Sequence, residues 1–117
     1  MTAGAAKASV GAIRFAADGS ATIVGTSGRR GDKQYFAFTA AASGGLAVSV
    51  ARDASGRYAE LEIEDAAASR SLLELRPRSD ATNSGKVSVV KGRRYVLELR
   101  SQDMDPVAFV SRLQLLS

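Results

Sequence analysis

The chain has 117 residues, enough for one domain around one modest core. It has no cysteine and no histidine, which excludes disulfides, thiolate nucleophiles, a Ser-His-Asp triad and any Cys- or His-ligated metal. A formal charge of +4 is carried by scattered clusters (Arg29, Arg30 and Lys33; Arg76 and Arg78; Lys91, Arg93 and Arg94) with glutamates between them, so it reads as a mixed-charge solvated surface and not as a nucleic-acid stripe.

Residues 1–10, "MTAGAAKASV", are small and alanine-rich and lack the long apolar stretch of a signal peptide. They read as a flexible N-terminal arm or linker before a single domain over 11–117, and an export signal would lie outside this chain. "GAIRFA" (11–16) and "ATIVG" (21–25) are two short strands split by the Asp-Gly turn of "ADGS". "DKQYFAFTA" (32–40) alternates, with Phe36 and Phe38 on one face and Tyr35 and Ala37 on the other. After the "ASGG" turn, "GLAVSVA" (45–51) aligns Leu46, Val48 and Val50, and "DASG" (53–56) turns again. "YAELEIED" (58–65) is the cleanest strand, with Leu61 and Ile63 facing in and Glu60, Glu62 and Glu64 facing out.

"EDAAASR" (64–70) has alanine enough for one helical turn but is too short for an independent helix. "SLLELR" (71–76) aligns Leu73 and Leu75, and "RPRSDATNSG" (76–85) is loop by composition. "KVSVV" (86–90) presents Val87 and Val89, "KGR" turns the chain, and "RYVLELR" (94–100) presents Tyr95, Leu97 and Leu99. "SQDMDP" (101–106) is loop, and "VAFVSRLQLL" (107–116) closes the chain with Leu113 and Leu115 aligned. No stretch of 18 apolar residues is present, so no membrane span is expected. Eight or nine short strands with one apolar face each predict an all-β, antiparallel β-sandwich, a closed barrel being the alternative. Phe36, Phe38, Leu61, Ile63 and Tyr95 are its expected core anchors.

The order of "GDKQYFAFTAAASGGLAVSVA", "YAELEIED" and "GKVSVVKGRRYVLELRS", followed by a final apolar strand, resembles the bacterial pre-peptidase C-terminal domain family over about residues 11–117. The resemblance implies a jelly-roll-like sandwich, non-catalytic and appended to exported proteins. It also implies an extracellular or periplasmic location and a partner that is a neighbouring domain or an extracellular polymer. Some relatives bind collagen or polysaccharide, and some bind calcium. The chain departs from the family pattern at Gln34, where an aspartate is usual, and at Glu60-Leu61-Glu62-Ile63, where the family has Asp-Leu-x-Leu. Its arm also carries no carboxylate, which speaks against the linker-type calcium site.

Few residues carry candidate chemistry. Glu60, Glu62 and Glu64 are spaced about 7 Å apart along one strand face, and the bland reading is a solvated face paired with cross-strand Arg or Lys. Tyr35 and Tyr58 could form a sugar-stacking platform, as the alternative of a carbohydrate- or matrix-binding module requires. Asp103 and Asp105 could supply calcium oxygens, although aspartates in turns more often bind their own backbone, and no cofactor is otherwise expected. Arg30-Gly31-Asp32 spells an integrin-binding tripeptide, but Gly31 and Asp32 already serve as turn and strand entry. The expectation is a non-catalytic accessory module that stabilises, spaces or targets a neighbour, with calcium stabilisation as a further alternative.

Overall fold

The alternating runs become two facing sheets in the computed structural model, which describes residues 11–27, 33–51, 59–77, 83–100 and 107–116. Among these residues are nine strands: β1 (Gly11–Ala12), β2 (Ser20–Ser27), β3 (Lys33–Thr39), β4 (Gly44–Ala51), β5 (Glu60–Asp65), β6 (Arg70–Leu75), β7 (Ser84–Val89), β8 (Arg94–Arg100) and β9 (Val107–Leu116). One sheet has the order β1-β3-β8-β5-β6 and the other β2-β9-β4-β7. From β2 onward only β5 and β6 are consecutive strands lying side by side; every other step crosses between the sheets. This is the jelly-roll order, and every pairing is antiparallel except β1 with β3. The two sheets keep separate edges, so the architecture is a sandwich and not a closed barrel. No helix among the described residues is long and apolar enough to cross a membrane.

Period-2 alternation sends one face of each strand inward. Leu46, Val48 and Val50 of β4 meet Leu61 and Ile63 of β5 and Tyr95, Leu97 and Leu99 of β8 in one continuous core. Aromatics join its layers. Phe38 lies 5.1 Å from Phe15 edge-on and 5.5 Å from Tyr95, and Phe36 meets Phe109 edge-on at 6.3 Å. Ser111 is buried on β9 and satisfied there, its hydroxyl donating to the Ser49 carbonyl at 3.0 Å.

The "KGR" turn forms as its sequence requires. Arg93 N–H donates to the Val90 carbonyl at 3.1 Å, and Gly92 takes the positive φ of 86° that a type II turn needs at its third position. The buried Tyr95 secures the turn by accepting Val90 N–H at its hydroxyl, at 2.8 Å.

Two expectations are corrected. The strand read over 11–16 shrinks to Gly11–Ala12; Ile13 still donates its N–H to the Ala37 carbonyl at 2.9 Å, and Ile13 and Phe15 pack against the core. The alanine-rich stretch after β5 is a turn over residues 66–69: Asp65 Oδ1 accepts the N–H groups of Ala67 and Ala68, and Ser69 closes the turn at φ 50°.

Candidate functional site

The two outer faces of the sandwich differ in chemistry. On the five-stranded sheet the register lines up Lys33, Arg100 and Glu60 in one row and Tyr35, Glu98, Glu62 and Glu74 in the next. Arg100 sits among four carboxylates. Its guanidinium donates to Glu60 at 3.2 Å and to Glu98, and it lies 3.5 Å from Glu62 and 3.8 Å from Glu74. Burial alone would lower the Arg100 pKa, but the Glu98 hydrogen bond and the charges of Glu98, Glu60 and Glu62 outweigh it and hold the group above its ordinary value. Lys33 adds a 3.9 Å contact to Glu98, and Arg76 a 2.9 Å contact to Glu74.

The cross-strand pairing expected of the glutamate face is present at Glu60 and Glu62, but the face is less solvated than expected. Glu62 and Glu64 are half-buried, and Glu60 is only 5% exposed because Arg100 lies across it. Arg100 engages Glu60, Glu62 and Glu74 across the strands and Glu98 on its own strand. Among the described residues no group of three metal-ligating side chains is formed.

Tyr35 stands at the edge of this lattice. Desolvation, followed by the Glu98 charge and a hydrogen bond to Glu98, raises its phenol pKa. It is half-buried, with its hydroxyl engaged by Glu98. Tyr58, Asp103 and Asp105 lie outside the described residues, as do Arg30, Gly31 and Asp32. Of the expected core anchors, Leu61, Ile63, Tyr95 and Phe38 are buried, while Phe36 is partly covered and packs against the core.

The outer face of the four-stranded sheet holds an open groove of about 510 Å³ crossing all four strands. It exists because the outward positions of the inner strand β4 are small. Ala47 and Ser49 leave a low floor between β9 and β7. The register places Thr22, Arg112, Ser49 and Ser84 in one row and Ser20, Gln114, Ala47 and Lys86 in the next. Among the described residues the lining contains no carboxylate and no aromatic ring. Arg112 and Lys86 are exposed, and neither has an ion-pair partner among the described residues.

Sequence reasoning did not single these residues out. The signal was present in "GLAVSVA", whose outward positions are all small, and in "VAFVSRLQLL", where Arg112 and Gln114 fall on the outward parity. Their convergence depends on β9 pairing with β4 across 62 residues of chain from Ser49 to Ser111, which local pattern does not reveal.

No protein-family profile matches the chain, and no curated protein matches it by sequence. Among solved structures, the chain is similar to a periplasmic inhibitor of g-type lysozyme, PliG, from Aeromonas hydrophila. The TM-score is 0.70 at 12% identity, over 92% of this chain and 96% of that one. It is similar to the same degree to the pre-peptidase C-terminal domain of a collagenase from Bacillus anthracis, with a TM-score of 0.69 at 12% identity, over 90% and 94% of the two chains. PliG from Salmonella Typhimurium aligns with a TM-score of 0.58 at 16% identity, over 92% and 97%. The chain therefore has the sandwich fold of the pre-peptidase C-terminal domain, as its motif order suggested, and shares that fold with the PliG inhibitors.

Proposed function

We propose that the chain is a non-catalytic accessory module of an exported bacterial protein, and that it spaces or targets a neighbouring domain through the outer face of its four-stranded sheet. One observation carries this reading: Lys33 and Arg100 of the five-stranded face are engaged by carboxylates, whereas Arg112 and Lys86 lie over a groove of small side chains with no ion-pair partner among the described residues. Charges already engaged within a chain contribute little to a partner, whereas unpaired ones steer and select it. The fold supports the accessory and exported setting, since it also serves as a collagenase's appended domain and as a periplasmic inhibitor. Targeting by an extracellular polymer is the second reading, favoured by the length of the groove across all four strands. In both readings the module works without a metal.

The test is retention of the full chain on insoluble collagen, chitin, cellulose and a cross-linked acidic polysaccharide, alongside assays for peptide and glycoside hydrolysis. Retention on at least one matrix is expected, lost in Ser49→Trp, which fills the groove from an outward position. Hydrolysis that co-purifies with the chain would overturn the non-catalytic reading. Retention unchanged in Ser49→Trp would overturn the assignment of the face. A melting temperature that moves on adding EDTA or calcium would overturn the metal-free reading.

A further inference from the structure

We propose that the groove on the four-stranded sheet takes an extended anionic polysaccharide, a glycan bearing carboxylates or sulfates. This rests on the binding-module reading above and names the ligand chemistry of that face.

The argument begins with the backbone. The groove crosses the face of the sheet, where N–H and C=O groups are already used in the β2-β9, β9-β4 and β4-β7 ladders. A peptide adding as a strand needs an open sheet edge, so recognition here must come from side chains. Those side chains are short and polar. The hydroxyls of Thr22, Ser49 and Ser84 face outward with no side-chain partner among the described residues. The Gln114 amide nitrogen donates to the carbonyls of Asp18, at 2.9 Å, and Leu115, at 3.2 Å, so the group it presents is its oxygen. Such a surface both donates and accepts, which suits a ligand dense in hydroxyls.

The charges add the second requirement. Arg112 and Lys86 sit two strands and two residues apart, about 12 Å between Cα atoms. No carboxylate of the described residues lines the space between them. Asp18 lies outside the lining, and its Oδ1 accepts the N–H of Ser20 at 3.0 Å and the Ser20 hydroxyl at 2.6 Å. An extended ligand with repeated anionic groups can satisfy both cations at once, Arg112 through a planar fork and Lys86 as a point charge. Neutral sugars are disfavoured because the described residues of the lining offer no aromatic ring to stack on. An acidic peptide would supply charge but no ring hydroxyls, and the floor offers small residues where a peptide side chain would need a recess.

The experiment is affinity electrophoresis and calorimetry of the full chain with polygalacturonate, dextran sulfate, uncharged dextran and polyglutamate. Binding is expected to one or both anionic glycans, weakening as salt rises, with none to uncharged dextran. Binding to polygalacturonate assigns carboxylate as the anionic group, and binding to dextran sulfate alone assigns sulfate. Lys86→Ala and Arg112→Ala, both at exposed positions, should each weaken binding about fivefold to tenfold, and the pair should abolish it. Circular dichroism and melting curves of the variants should match those of the parent. Polyglutamate binding as tight as the glycans, or affinity indifferent to Lys86 and Arg112, would overturn the proposal. Failure of both anionic glycans while Ser49→Trp still releases the chain from another matrix would overturn this ligand and leave the binding face standing. Failure of both experiments would remove the face as well.

Discussion

Two glycines show how one substitution can act through different physics. A Cβ on Gly25 would come within 2.7 Å of Phe109 Cζ, and Phe109 is 1% exposed and packed edge-on against Phe36. Gly25→Ala must therefore push a core ring and should cost about 1–3 kcal/mol. Gly92 has nothing within 4 Å of such an atom, but its φ is 86°. Gly92→Ala should cost about 1–2 kcal/mol through backbone strain alone. Urea midpoints measure both losses, and the second-site change Phe109→Leu separates them. It should recover part of the Gly25→Ala loss and none of the Gly92→Ala loss. Equal behaviour of the two double variants would refute the overpacking account.

At the scale of elements, β8, β5 and β6 bring Glu98, Glu62 and Glu74 directly opposite one another, an arrangement that like charges oppose. Arg100 makes the row tolerable. Arg100→Gln should cost about 3–5 kcal/mol, because it leaves partly desolvated carboxylates facing each other without a cation. Arg100→Lys should recover only a fraction, since one ammonium cannot span Glu60, Glu62, Glu74 and Glu98 together. Thermal melts at low and high salt provide the check, with salt expected to rescue Arg100→Gln more than the parent. Most of these elements were legible in the sequence. Alternation located β3, β4, β5, β8 and β9 to within a residue or two at each end, because each has one buried face. It failed at "GAIRFA", where Ile13 and Phe15 satisfy the same apolar pattern as a plug against the core. It also could not reveal the Arg100 cluster or the Arg112–Lys86 groove. Inward and outward parity belongs to one strand, but a site on a sheet is made by register between strands far apart in sequence.

Across the whole molecule, the turns at one end of the sandwich are tied to one another by side chains. Asp65 links the β5–β6 turn to the β7–β8 turn through Arg93 at 2.7 Å, Ser43 of the β3–β4 connection accepts Lys91 N–H at 2.9 Å, and Gln114 reaches the carbonyl of Asp18 before β2. Two carboxylates hold this end. The Arg93 hydrogen bond, aided by the N–H groups of Ala67 and Ala68, lowers the Asp65 pKa below 3.8, and the Ser20 hydroxyl and N–H lower that of Asp18. Folding therefore favours their ionised forms. The stability they contribute is complete above the unfolded-chain value near 3.8 and is lost as pH falls through the lower folded values. The melting temperature should accordingly fall with pH below about 4. Asp65→Asn should melt lower than the parent at pH 7 yet show a shallower decline on the acid side, because it has no proton to take up. Asp18→Asn should behave the same way. A parent and an Asp65→Asn variant whose acid limbs run parallel would show that the tie between the turns contributes nothing to the pH dependence.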